Sequence, residues 1–340
     1  MSFESNAQHP SKNRLLLAVQ LFLGVIVLAV AAFFAGPSNE FGSDTPTSRA
    51  APPSSSTELD AWLAQSESQF TGIKPGTAKG IVWANDTHQK TPWAVVYLHG
   101  FSASRLETAP VADHVAKQLG ANLFYTRLSG HGLPGEAMGQ VTTQDWLADT
   151  MEAVRIGHTL GEKVLVISCS TGSTLATWLG SSKDADMVQA HVFISPNFGL
   201  KDKRSELING HWGKQIALAI TGPQLHFPEV NERESTAWTK SYPTNALFPM
   251  MALVKKVRES DVSQFKAPLL VLYSADDQTV DPTETKNMFD RMGSVNKTLE
   301  LVAYSKSDGQ HVLAGDIRDP QAVEPMVNSI VKWIEVQASN

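Results

Sequence analysis

Residues 164–172 read VLVISCSTG, and TLATWLG follows at 174–180. Val164 to Ile167 form a continuous apolar run, the mark of a strand buried on both faces, and the stretch beyond Gly172 has the composition of a helix. Between them lies a turn of five small residues, Ser168-Cys169-Ser170-Thr171-Gly172. A strand that passes through a sharp turn directly into a helix lifts the central serine hydroxyl above the sheet, the context that a nucleophile elbow G-x-S-x-G requires. Strand and helix nearly touch at such a turn, so its neighbours must be small. Gly172 meets the demand, and Ser168 replaces the first glycine with a residue still small enough for the turn to close.

The same strand form recurs along the chain at Trp93 to Leu98, Asn122 to Thr126, Lys163 to Ile167, His191 to Ile194, Leu269 to Tyr273 and Leu299 to Ala303. Amphipathic stretches lie between them. In Thr142 to Leu160 a capping box of Thr142 and Asp145 precedes Trp146, Leu147, Met151 and Val154 at helical spacing. Alternating strands and helices with continuous apolar strands predict an α/β fold, a mostly parallel sheet sandwiched by helices. One stretch breaks the rhythm: residues 198–263 hold apolar helical segments and turn signals without a buried strand, which predicts an inserted helical cap.

A serine hydroxyl is a weak nucleophile unless an imidazole takes its proton, and the imidazole needs a carboxylate to fix its tautomer. The loop after the strand at 269–273 offers two adjacent acids, Asp276 and Asp277; strand-end spacing and the Asp281-Pro282 turn favour Asp277. His311, in Ser307 to Leu313 after the last strand, is the candidate base. Ser170, Asp277 and His311 thus occur in the chain order of one known class of triad. His99-Gly100-Phe101-Ser102 ends the strand at 93–98, where backbone N–H groups can face a developing oxyanion; Phe101 and Thr171 are the candidate donors. His99 reads as a structural residue of that loop. Trp212, Phe227, Phe248, Met250 and Met251 of the cap read as packing, with an apolar acyl groove as the functional alternative. His114, His158 and Glu162 show no metal-binding spacing and are assigned to solvated helix faces.

At HGFS (99–102), RLSGHG (127–132), SCSTG (168–172), SADDQTV (274–280) and GQHV (309–312) the sequence resembles the α/β-hydrolase family, in its serine carboxylesterase and monoacylglycerol lipase-like branch, over about Glu58 to Val336. The resemblance implies a mixed sheet of about eight strands, a cap inserted after the sixth strand, and no metal or organic cofactor. It places RLSGHG in a surface turn, with His131 structural. A serine at the elbow separates the chain from dehalogenase and epoxide-hydrolase members, which carry an aspartate there. The expected activity is ester hydrolysis on lipid-derived or medium-chain acyl esters. The rivals are thioester, amide or carbon–carbon cleavage by the same triad, and an anchored binding protein without catalysis.

The 340 residues carry a net charge of −6, which argues against a surface built to neutralise nucleic-acid phosphates. Cys169 is the single cysteine, so neither an internal disulfide nor a thiolate metal site can form. Leu15 to Ala35 is an apolar run of about 20 residues, long enough to span a bilayer. Lys12 and Arg14 precede it, so residues 1–14 are expected in the cytoplasm, 15–35 as the membrane anchor, and the remainder outside. Secretion after cleavage near Ala29-Val30-Ala31 is the alternative. Residues 36–57, rich in Pro, Ser and Thr, are expected to form a flexible linker to a hydrolase domain at 58–338.

Overall fold

Strand β4 (Gly161–Cys169) is the centre of the molecule in the computed structural model, which describes residues 12–338. Residues 1–11 of the expected cytoplasmic segment lie outside them. Side chains alternate across a strand, and β4 is apolar on both sides. Val164 and Val166 enter one core, while Leu165, Ile167 and Cys169 enter the other. Its flanks are β2 (Thr91–Leu98) and β5 (Ala190–Ile194), and the sheet runs outward through β3 (Asn122–Tyr125) to β1 (Gly80–Val82) on one side. On the other side lie two more strands, Leu269–Tyr273 and Lys297–Leu301, called β8 and β9 after the cap strands that precede them. Every pairing is parallel except that of β1 with β3.

The sheet has seven strands among the described residues, where the resemblance implied about eight, and the insertion therefore follows the fifth strand rather than the sixth. The six strands expected from apolar runs are present. The edge strand β1 was missed because three partly exposed residues carry no periodic signal. Helices α2 (Ser56–Glu67), α4 (Thr143–Leu160) and α5 (Thr171–Gly180) share one core with the inner face of the sheet, whereas α3 (Val111–Leu119) and α10 (Val323–Ala338) bury the other. The capping box forms as expected: the Thr142 side chain accepts from the Asp145 N–H, and the Asp145 carboxylate accepts from that of Thr142.

Between β5 and β8 the chain builds α6 (Gly213–Thr221), a ribbon of β6 (Gln224–His226) and β7 (Ser241–Pro243), the single turn α7 (Glu234–Ala237), and α8 (Leu247–Glu259). The cap expected to be helical thus contains a small antiparallel ribbon. Its strands are three residues long and one ends in a proline, so no alternation marks them. Helix α8 buries Met251, Leu253, Val254 and Val257 in the core shared by α4 and α5, so the end of the 198–263 stretch belongs to the sandwich. Helix α9 (Pro282–Arg291) joins β8 to β9, and α10 closes the domain.

Ahead of the domain stands α1 (Lys12–Phe34), among the described residues the one helix long and apolar enough to cross a membrane; its span Arg14–Phe34 has mean hydropathy 2.8 and none of it is buried. The segment after it, expected as a flexible linker, is instead tied along the domain. Gln144 Nε2 donates to the carbonyls of Phe41 and Ser43 at 2.8 Å each, the Thr47 N–H donates to the Gln144 carbonyl at 3.1 Å, and Lys256 pairs with Asp44 at 3.0 Å. Arg49 pairs with Asp149, which is 1% exposed. Composition weighs apolar burial and misses these polar ties. Arg49→Ala leaves the buried Asp149 carboxylate, among the described residues, with the Ser129 N–H as its remaining partner. It is expected to cost on the order of 2 kcal/mol in a denaturant melt and to speed proteolysis at 42–49, with Asp44→Ala costing less than about 1 kcal/mol because that pair is exposed.

Candidate active site

Ser170 sits between β4 and α5 with φ 51 and ψ −118, a left-handed conformation that costs a non-glycine residue about 1–3 kcal/mol. Packing enforces it. A Cβ at Gly172 would lie 2.1 Å from the Leu98 carbonyl oxygen, so the elbow has no room for any other residue there. The Ser170 N–H donates to the Ile194 carbonyl at 3.0 Å, and its own carbonyl accepts from the Asn197 N–H at 3.1 Å. Ser168, where the motif has its first glycine, is fully buried, and its hydroxyl is 3.0 Å from that of Ser173. The departure from glycine is thereby satisfied by a hydrogen bond.

The structure brings Ser170, His311 and Asp277 together from three segments. His311 Nε2 lies 3.0 Å from Ser170 Oγ, and His311 Nδ1 lies 2.8 Å from Asp277 Oδ2. A carboxylate can only accept, so Nδ1 carries the proton and Nε2 is free to accept from the serine hydroxyl. Asp277 is 2% exposed, and its other oxygen accepts from the N–H groups of Thr279 and Val280 at 2.7 and 2.9 Å. Asp276, its competitor in sequence, is exposed. Gln310, a residue that sequence reasoning did not single out, locks the histidine loop. Its amide donates to the carbonyls of Ser305 and Ser307, and its oxygen accepts from Ser274 Oγ at 3.1 Å.

The second loop comes from β2, whose Leu98 is paired with Ser168 of β4, so that both strand ends stop at the same level. The amides flanking Phe101 are committed: Gly100 N–H donates to Glu107 Oε1 at 2.7 Å, and Ser102 N–H donates to His131 Nε2 at 3.0 Å. The Phe101 N–H has no acceptor among the described residues. Thr171 is the first residue of α5, where the N–H lacks an intrahelical partner. His99 and His131 are both fully buried and act as struts. His99 Nε2 accepts from the Leu128 N–H at 3.0 Å, and both rings place Nδ1 against a backbone carbonyl. Burial holds His99 well below the usual histidine range and brings His131 to about 4, so both stay neutral at physiological pH.

Glu107 is the unforeseen residue of the site. It is 2% exposed; Oε1 accepts from the Tyr97 hydroxyl at 3.0 Å as well as from Gly100, and burial pushes its carboxyl up to about 7. An acid in the otherwise unpatterned stretch before α3 was the only signal for it.

A cavity of about 370 Å³ lies above Ser170; Phe101, Phe227, Trp238, Tyr242, Leu247 and Met250 form its apolar wall, and Lys240, Asp308 and Arg318 are among its polar lining. Of the five cap residues considered in the sequence, Phe227 and Met250 line it. Phe248 and Met251 are buried in the core, and Trp212 faces α1. Two other assignments need correction. Glu162 lies in β4 rather than on a helix, where it pairs with Lys90 at 3.4 Å; His158 on α4 is half-buried, with Nε2 at 2.8 Å from the Met187 carbonyl. His114 is exposed on α3 as expected.

A carboxyl raised by burial binds its proton more tightly in the folded chain than in the unfolded one. Glu107 therefore costs stability progressively as pH rises from about 4.5 to about 7. Glu107→Gln keeps an acceptor for Gly100 and Tyr97 while removing that ionisation. Its melting temperature is expected to fall less than that of the wild-type chain between pH 5 and 8, by an amount on the order of 3 kcal/mol in stability. Parallel melting curves across that range would refute the assignment.

A family model described as serine aminopeptidase, S33, matches residues 89–306. No curated protein matches the chain significantly. Among solved structures, one from a study of the metagenome-derived lipolytic enzymes LipS and LipT superposes with a TM-score of 0.62 at 19% identity, covering 77% of this chain and 99% of that one. A monoacylglycerol lipase of Paleococcus ferrophilus gives 0.55 at 14% identity over 75% and 96%. A soluble variant of monoglyceride lipase from Saccharomyces cerevisiae, in complex with a substrate analogue, gives 0.55 at 14% over 75% and 90%. At these identities the likeness is one of fold. The family match covers more than half of the chain, including both the elbow and the strand that leads to it, and so the chain belongs to the serine aminopeptidase S33 family of α/β-hydrolases.

Proposed function

We propose that this protein is a serine esterase that hydrolyses lipid-derived or medium-chain carboxylic esters through an acyl-enzyme. The observation that carries the reading is the relay from Asp277 through His311 to Ser170, with separations of 2.8 and 3.0 Å, beneath a cavity walled by aromatic and aliphatic side chains. Ser170 Oγ attacks the ester carbonyl carbon while His311 Nε2 takes its proton, and Asp277 stabilises the imidazolium. The N–H groups of Phe101 and Thr171 hold the oxyanion of the tetrahedral intermediate. Collapse of that intermediate breaks the bond to the alcohol, which departs with the proton from His311. Water then attacks the acyl-serine by the same steps, and the acid leaves. The lipolytic enzymes and monoacylglycerol lipases of similar fold support the choice of esters, as does the apolar lining.

Cleavage of an amide beside a free amino group is the second reading. It is favoured by Asp308, a carboxylate on the cavity wall suited to an ammonium; the cations that share the lining, Lys240 and Arg318, are both paired with the buried Glu234. Nitrophenyl esters of increasing chain length, monoacylglycerols and aminoacyl nitroanilides, tested side by side, separate the two. For membrane location, we propose that α1 is an uncleaved anchor with its N-terminus in the cytoplasm, supported by Lys12 and Arg14 ahead of the apolar span.

Ser170→Ala is expected to lower kcat/KM by on the order of 10⁴-fold with an unchanged melting curve, and to abolish labelling by a fluorophosphonate. Asp277→Asn should approach the same loss, while Asp276→Asn stays within about threefold of the wild-type chain. Ester hydrolysis that survived Ser170→Ala would sink the proposal.

A further inference from the structure

The joint between α1 and the cap is built with more care than a tether needs. The last carbonyls of a helix lack intrahelical donors, and at a membrane surface they must find partners elsewhere. Here the Trp212 indole Nε1–H donates to the carbonyls of Ala32 and Phe33 at 3.2 and 3.1 Å. The Trp212 N–H donates to the Pro37 carbonyl at 2.8 Å, and His211 Nδ1 lies 2.9 Å from the Gly36 carbonyl. A Cβ at Gly36 would fall 2.0 Å from Trp212 Nε1, so glycine is what lets the two surfaces close. Beyond the joint, Asn39 is 6% exposed and donates to Asn209 Oδ1 and to the Phe248 carbonyl. The end of the apolar helix is therefore fixed to the cap at both its last turn and its exit.

The cap surface beside this joint is apolar and uncovered. Helix α6 starts at the residue after Trp212 and turns Gly213 and Ala217 inward, leaving Leu218 and Ile220 outward. Ile220 is 74% exposed and Leu207, just before the joint, 57%. We propose that the stripe of Trp212, Ile216 and Ile220, spaced by four along α6, rests with Leu207 in the interfacial layer of the same bilayer that α1 crosses. Continuity selects the bilayer over other occupants. The plane where α1 leaves the hydrocarbon is marked by Phe33 and Phe34, whose rings lie 6.1 and 5.7 Å from that of His211. Trp212, whose indole bonds the last carbonyls of α1, is of the residue type that collects at the membrane–water boundary, and α6 departs from it. Amphipathic surfaces with outward Leu and Ile enter that boundary by several ångströms. The inference rests on the reading of α1 as an anchor. It also gives that reading a consequence: the cap over Ser170 is held against the lipid, where acyl esters reside.

The test uses the full chain reconstituted in vesicles of phosphatidylcholine and phosphatidylglycerol. Cys169 is buried, so the wild-type protein serves as an unlabelled blank. Ile220→Cys and Val295→Cys each receive an environment-sensitive fluorophore; Val295 is 93% exposed and lies outside the cap. Lipids bearing a nitroxide on an upper acyl carbon are expected to quench the label at 220 by about twofold or more and to leave that at 295 within about a tenth of its starting intensity. Protein that floats with the vesicles but is quenched at neither site would overturn the docking while sparing the anchor. A blue-shifted but unquenched label at 220 would mean that protein, such as a second copy, covers the face, and would overturn it equally. Failure to float would remove the anchor reading and the docking together.

Discussion

The approach of α5 to the end of β2 is the constraint on which the rest of the site depends. With the position of a Gly172 Cβ only 2.1 Å from the Leu98 carbonyl, helix and strand are in contact at the elbow. Ser170 accepts a left-handed backbone because no other path joins β4 to α5 in that space. The same contact brings the loop after β2 alongside Ser170: a Cβ on Gly100 would lie 3.1 Å from the Ser170 Cβ. One close packing event therefore sets both Ser170 and the loop that carries the Phe101 amide.

Such an arrangement is useful only if the loops are rigid, and rigidity comes from buried polar groups with every partner in place. His99, His131 and Glu107 each accept from a backbone N–H of loops that the strands alone do not hold. Their burial keeps both histidines neutral, which preserves the acceptor nitrogen that each contact needs. Removing an acceptor from a buried amide costs more than an average hydrogen bond is worth, so these struts resist small distortions of the loop at 99–102. The cap is tied into the same loop, since the Thr239 N–H donates to the Ser102 carbonyl at 2.7 Å.

What was legible in the sequence follows from how each element is stabilised. Central strands bury both faces and announce themselves as unbroken apolar runs, so β2, β4, β5 and β8 could be read within a residue or two. The edge strand β1 and the ribbon of β6 and β7 are held by backbone pairing over three residues, which leaves no pattern. Asp277 and Asp276 are chemically identical in the sequence; burial and two backbone donors to Asp277 distinguish them, and both depend on tertiary structure. Glu107 escaped notice because its partners, Tyr97 and Gly100, are made relevant by a fold that folds the loop back on itself. Residues 36–57 depart from the expected flexible linker for the complementary reason, since a segment poor in aliphatic side chains can still be fixed by ion pairs and by hydrogen bonds to Gln144 of α4.

The fixed segment changes how α1 and the candidate site are related. A flexible segment of about 20 residues would let the domain sample orientations over tens of ångströms. Here Asn39, Asp44, Thr47 and Arg49 are each bonded to the domain, and Trp212 grips the helix end. The cap is thus linked by hydrogen bonds to the end of α1 on one side and to the Ser102 loop on the other. On the anchor reading proposed above, α1 sets the orientation of the cavity as well as its address, and an ester that partitions into lipid meets the cap before it meets Ser170.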